Sequence, residues 1–85
     1  MTKAQVSKMA RSVLQSHRAD LSEIQIVASP RSVNLYGMLI KPDGSDFTVE
    51  AVMAISDSLT KIVSLTTHLS NWDMNGGVRK IERDE

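Results

Sequence analysis

The sequence predicts a two-layer α+β sandwich in which two helices pack on one face of a small mixed sheet, in the order α-β-β-α-β(-β). Three patterns support this prediction: an amphipathic helical pattern near the start, an alternating strand interrupted by Gly37, and a second helical pattern between two strand patterns. A length of 85 residues allows one domain with a thin core. Residues 1–85 are therefore interpreted as a single domain.

The central strand is predicted over residues 32–40, where Val33, Leu35 and Leu39 form an aliphatic face. Gly37 interrupts that face. A glycine inside a strand is best explained when another backbone or a helix must come close to it. We therefore expect a helix above Gly37.

The first helix is predicted over about residues 3–17. Thr2 and Gln5 have the spacing of a capping box, in which each side chain pairs with a backbone amide at the helix start. One side of this segment is apolar, and its residues are Val6, Met9, Ala10, Val13 and Leu14. His17 falls in the last turn, where a cation is favoured beside the exposed carbonyls, and it needs no further role.

The first strand is predicted over residues 23–28, with Ile24 and Ile26 facing inward, and a turn over residues 29–32 returns the chain antiparallel. The second helix is capped by Asp46 or Thr48. Its broad apolar face is predicted to contain Val49, Val52, Met53, Ile55, Leu59, Ile62 and Val63.

A third strand is predicted over residues 63–70. The central strand, the second helix and this strand should form a right-handed crossover in one sheet, with the two strands parallel. The turn signal at Asn75-Gly76-Gly77 predicts a short fourth strand over about residues 78–82. Residues 81–85 are expected to form a frayed tail.

Ten basic and ten acidic side chains give no net charge, which removes the strongest sequence argument for a nucleic-acid partner. Residues 1–42 carry a net charge of +4 and residues 43–85 a net charge of −4. Such a chain can stack head to tail or meet an acidic partner, or its charges can interleave in one globule. The absence of cysteine excludes a disulfide framework and a thiolate nucleophile.

No apolar run has the length of a membrane span, and the first residues do not have the layout of a signal peptide. The chain as written is therefore expected to be soluble and cytoplasmic. It would be periplasmic if an export signal had been removed.

No residue is assigned a catalytic, cofactor-binding or metal-binding role, and the chain is predicted not to be an enzyme. Asp43, Asp46 and Glu50 lack the spacing of a calcium loop, and carboxylates at a helix start are favoured by the helix dipole. No Gly-x-Ser-x-Gly elbow and no glycine-rich phosphate loop occurs in the sequence. An enzyme would need His17 or His68 to converge with Asp73 in a cleft.

Helices on one face of the sheet leave the opposite face bare. The residues expected to bind a partner there are Val27, Tyr36, Met38, Ile40 and His68, beside Gln25, with Trp72 extending the patch. An apolar patch with a polar rim on a small protein marks a contact with a protein partner or with a second copy. Pairing between edge strands of two copies is a second route to a homodimer. The sequence thus predicts a small protein–protein interaction module: an adaptor, an inhibitor or an assembly domain.

Ile24-x-Ile26, a short turn, Val33-x-Leu35-x-Gly37-x-Leu39, a helix, and a strand ending in Thr67-x-Leu69 resemble a BON domain. This is the small αββαβ module of bacterial osmotic-stress and envelope proteins, and the likeness covers roughly residues 3–74. The resemblance implies a non-catalytic, envelope-associated module that binds membrane lipid, a small ligand or another protein. It carries over no catalytic residue.

Overall fold

The computed structural model describes residues 1–81. The helices are α1 (Lys3–Ser16) and α2 (Val49–Thr60), and a short 3₁₀-helix covers Leu21–Glu23. The strands are β1 (Ile24–Ala28), β2 (Ser32–Gly37), β3 (Ser64–Leu69), β4 (Trp72–Asp73) and β5 (Arg79–Lys80). The predicted α+β class and the order α-β-β-α-β are confirmed.

The first helix begins as the sequence predicts. The amide of Gln5 donates to the Thr2 hydroxyl over 3.2 Å, and the amide of Thr2 donates to the Gln5 side-chain oxygen over 2.8 Å. These two bonds satisfy backbone donors that a helix start leaves free. The helix ends at Ser16, one residue before the predicted end, and it buries Val6, Ala10 and Leu14.

The main sheet has the order β1-β2-β3, with β1 antiparallel and β3 parallel to β2. Ile26 lies opposite Leu35, and Leu35 lies opposite Thr67. Because successive side chains of a strand point to opposite faces, this register directs all three toward the helices. The core therefore lies between the helices and this inner face of the sheet.

Gly37 has a φ of +110°, and a Cβ at this position would lie 2.1 Å from the carbonyl oxygen of Glu23. The close approach predicted at Gly37 is therefore made by the Glu23 backbone, in the short 3₁₀-helix. The prediction that one of the two long helices makes this contact is wrong. Strand β2 also ends at Gly37, three residues earlier than predicted. Leu39 beyond it remains fully buried.

The second helix is capped by Thr48, whose hydroxyl accepts a hydrogen bond from the Ala51 amide over 3.2 Å. Its buried face is narrower than predicted and consists of Val52, Ile55 and Leu59. Val49, Met53 and Ile62 are each about half exposed to solvent. The prediction of a broader face is wrong at these positions, because one sheet contacts only one stripe of a helix.

The end of the chain forms a hairpin, in which Trp72 lies opposite Lys80 and Asp73 opposite Arg79. The predicted fourth strand thus pairs with β4 in a separate two-stranded sheet. Ile81, predicted to fray, donates its amide to the Asn71 carbonyl over 3.0 Å. The rest of the tail predicted to fray, residues 82–85, lies outside the described residues.

A buried tryptophan holds this hairpin against the domain. The indole N–H of Trp72 donates to the Asp46 carboxylate over 3.0 Å, and Lys80 forms an ion pair with the same carboxylate. The Lys80 ammonium lies 5.0 Å from the centre of the indole ring. The hairpin is therefore connected to the loop that leads into α2.

No helix within residues 1–81 is both long enough and apolar enough to cross a membrane.

Candidate functional site

The sheet face opposite the helices is open to solvent. We define the outer face as Gln25, Val27, Ser32, Asn34, Tyr36, Met38, Ser64, Thr66 and His68. These residues alternate along the strands with the buried ones, and Met38 directly follows the end of β2. The sequence pattern alone indicates this alternation, which is why most of the face is predictable.

The strand register aligns the outer-face residues in rows. Gln25, Tyr36 and His68 form one row, and Val27, Asn34 and Thr66 form the next. The rings of Tyr36 and His68 stack with their centres 4.7 Å apart and an angle of 8° between their planes. This distance is close to the spacing of neighbouring strands, so the sheet itself holds the two rings together.

The apolar residues of the outer face are exposed to a similar degree. Val27 is 42% exposed, Tyr36 39% and Met38 38%. A partner can therefore contact part of each side chain, while the remainder is covered by neighbouring residues. Tyr36 and Met38 are residue types that are enriched at the centres of protein interfaces.

The outer face contains no Asp, Glu, Lys or Arg, although such residues make up 24% of the chain. The ion pairs of the described residues, Asp73 with Arg79 and Asp46 with Lys80, involve the hairpin and the loop before α2. Charged residues are depleted at the centres of protein interfaces, where desolvation of a charge is costly. An uncharged surface in a chain of this composition is therefore the main feature of the site.

The structure places Val27, Tyr36, Met38 and His68 on the outer face, as predicted. Ile40 lies beyond the end of β2 at Gly37, so the strand register does not assign it to a face, and its carbonyl accepts the Asp20 amide over 2.8 Å. Trp72 is only 2% exposed, so its expected place on the patch is wrong. Its indole N–H finds an acceptor on Asp46, which allows the whole ring to be buried.

The stack between Tyr36 and His68 was not predicted from the sequence. The two residues are far apart in the chain, and only the parallel register of β2 and β3 makes them neighbours. A register shift by two residues would separate the rings and keep every face assignment unchanged. The alternating pattern therefore contains no signal for this contact.

Two of the three acidic residues considered as metal ligands, Asp43 and Asp46, accept hydrogen bonds from other groups of the chain. The hydrogen bonds from the hydroxyl and the amide of Ser45 lower the pKa of the Asp43 carboxyl. Asp46 accepts the Trp72 indole and the Phe47 amide, and Glu50 is exposed on the first turn of α2. Within residues 1–81, no group of three or more such side chains is placed to hold a metal ion.

The groups considered for an enzyme do not form a cleft together. His17 caps the end of α1 on the helical side of the sheet, and His68 lies on the outer face. The carboxyl of Asp73 accepts the Asn75 amide and pairs with Arg79 over 3.0 Å, and these contacts lower its pKa. Neither the open depression beside Pro30 and Ile62 nor the one beside Asp73 and Asn75 is lined by a histidine.

Comparisons of this chain with protein-family models, with curated proteins and with solved structures gave no match. The resemblance to a BON domain therefore stays a prediction.

Proposed function

We propose that this chain is a small non-catalytic protein-binding module and that the outer face is its contact surface. The observation that supports the proposal is the combination of exposed Val27, Tyr36 and Met38 with the absence of charged side chains on that face. Burying such a surface removes apolar area from water without desolvating an ionised group. A flat apolar surface of another protein is the partner that fits it.

The same observation makes other classes of partner less suitable. Nucleic acids and anionic membrane surfaces are bound mainly through Lys and Arg, which neutralise phosphate groups. The outer face presents amides, hydroxyls, one imidazole and apolar groups instead. The BON-like alternative, a module that binds lipid or a small ligand, is therefore the second candidate, since it shares the order α-β-β-α-β.

The proposal is tested with a photo-crosslinking side chain, p-benzoylphenylalanine, placed at position 36 in cells of the native host. We expect one discrete protein adduct, and we expect Met38→Asp to remove it while the domain stays folded. The matched control carries the same crosslinker at position 53, because Met53 is 49% exposed on α2, on the other side of the sheet. The same adduct from both positions would contradict a contact surface on the outer face.

Vesicle flotation separates the two candidates. The purified chain is mixed with vesicles of a zwitterionic lipid containing about one third anionic lipid, and unbound protein is removed. A protein-binding module stays in the unbound fraction, since its outer face has no cation for the headgroups. Flotation of the wild type, combined with its loss in Tyr36→Asp/Met38→Asp, would overturn the proposal and favour the lipid-binding alternative.

A further inference from the structure

Strand β1 has one paired side and one unpaired side. The Met38 amide donates to the Glu23 carbonyl over 2.9 Å, and the Ser29 amide donates to the Ser32 carbonyl over 2.8 Å. Antiparallel pairs use every second residue for these bonds, so residues 25 and 27 also pair with β2. The amides and carbonyls of Ile24, Ile26 and Ala28 therefore point away from the sheet.

Nothing within residues 1–81 pairs with this second side of β1, which is the outside strand of the sheet. The Ile24 amide donates to the Leu21 carbonyl, and no hydrogen bond is found for the amides of Ile26 and Ala28. Val27 between them is exposed. A row of unpaired backbone groups is a template for another extended chain.

The opposite edge of the sheet is protected differently. The side chain of Asn75 reaches the backbone of Thr67 in β3, and its oxygen and nitrogen each form a bond of 3.0 Å there. It thus occupies the position of a neighbouring strand. Strand β1 has no such cover and also lacks the charged residues and prolines that usually block an edge.

We propose that two copies of this chain pair through β1 and form a continuous six-stranded sheet. The two strands run antiparallel around a two-fold axis at Ile26, so that the amide of Ile26 donates to the carbonyl of Ile26 of the second copy and the reverse. On each side of the axis, the Ala28 amide donates to the Ile24 carbonyl of the second copy. The register is self-complementary, because every bond that one copy donates is returned by the other.

A second copy is the occupant that this edge fits best. In the proposed register, Gln25 lies opposite Val27 of the second copy on the outer face, and no charges of equal sign meet there. The two outer faces then join into one surface, in which the rows that contain Tyr36 and Asn34 continue across the axis. Pairing at this edge goes beyond the proposed function, because it uses backbone groups of β1 and does not depend on Tyr36 or Met38.

The test combines sedimentation with amide hydrogen exchange over a concentration series from about 10 μM to 1 mM, a range suited to an interface of one short strand pair. We expect a dimer at high concentration and an exchange rate at Ile26 that falls at least about tenfold as it forms, since the new bond protects the amide. The Gln25 and Val27 amides should exchange slowly at every concentration. A monomer throughout the range, or a dimer with unchanged exchange at Ile26, overturns the proposal.

Two charge variants supply a matched pair. Gln25→Glu/Val27→Glu places carboxylates opposite each other across the axis and should weaken dimerisation at least about tenfold, since like charges directly opposite are destabilising. Gln25→Lys/Val27→Glu places opposite charges there and should restore it. Both variants change only exposed positions, and circular dichroism checks that both fold. Equal dimerisation of the two variants would refute pairing through β1.

The result is separable from that of the proposed function. Tyr36→Asp/Met38→Asp should leave the β1 dimer intact, because neither side chain faces the axis. Loss of the dimer in this variant would show association through the outer face and would refute the edge model, while leaving the outer face as a contact surface.

Discussion

Gly37 is the residue that allows the chain to pass from the 3₁₀-helix into β1 beside the end of β2. Its φ of +110° is a conformation that L side chains rarely adopt, and the Glu23 carbonyl oxygen occupies the space of a Cβ. The Met38 amide next to it donates to the same carbonyl over 2.9 Å. A larger residue at position 37 would have to displace this hydrogen-bonded backbone.

We therefore expect Gly37→Ala to lower the free energy of unfolding by at least about 2 kcal/mol, from backbone strain together with the clash at Glu23. Urea denaturation measures this loss. Gly44→Ala is the matched control, because Gly44 also has a positive φ, +85°, but has no atom within 4 Å of the added Cβ. An equal or smaller loss of unfolding free energy at position 37 than at position 44 would contradict the clash. It would mean that the Glu23 carbonyl shifts without cost and that the positive φ alone causes the destabilisation.

At the scale of elements, asparagine side chains pair with backbone groups just beyond the end of β2 and along the edge of β3. The oxygen of Asn71 accepts the Leu39 amide over 3.0 Å, and its nitrogen donates to the Leu39 carbonyl over 2.8 Å. Asn75 forms the same pair of bonds with Thr67. Both amides satisfy backbone groups that would otherwise be partly buried without a partner.

Asn71→Asp tests this arrangement with almost no change of shape. The carboxylate still accepts from Leu39, but it faces the Leu39 carbonyl without a proton to donate, so we expect a loss of about 1–3 kcal/mol at pH 7. The loss should shrink as the pH falls below the pKa of the new acid, because the protonated form donates to that carbonyl. Denaturation of wild type and variant at pH 7 and at pH 4 measures both effects.

Asn34→Asp is the control for this substitution, because Asn34 lies on the outer face and makes no described side-chain hydrogen bond. Its expected effect is within about 0.5 kcal/mol. A similar loss at positions 34 and 71, or a loss at position 71 that does not change with pH, would contradict the role assigned to the Asn71 amide.

The elements were predictable where local signals determine them, and the contacts between elements were not. The capping box of Thr2 and Gln5 lies within one turn of helix and was read from the sequence, as was the alternation of β1 and β3. Asn71 and Leu39 are 32 residues apart, and Trp72 and Asp46 are 26 residues apart. No periodic pattern contains such a pair, so the early end of β2 and the burial of Trp72 both escaped prediction.

At the scale of the whole molecule, the helices, the inner face of the sheet and the hairpin contribute large apolar side chains to one core. Trp72 and Met74 from the hairpin belong to the same buried cluster as Leu14 of α1 and Leu59 of α2. The outer face is then the part of the sheet that folding leaves unused. The separation of the core from the outer face supports the proposed function, because the core is complete without the residues of the outer face.

Because Trp72 is the single tryptophan and lies in this shared core, it reports on the unfolding of the whole domain. We expect its fluorescence change and the far-ultraviolet circular dichroism of the helices to have the same midpoint in urea, as in a cooperative transition of a small domain. Lys80→Gln should lower both midpoints by the same amount, since Lys80 holds the Asp46 carboxylate that accepts the indole N–H. A fluorescence midpoint at lower urea than the helical one would mean that the hairpin opens first, and the domain would then have a separable unit after residue 71.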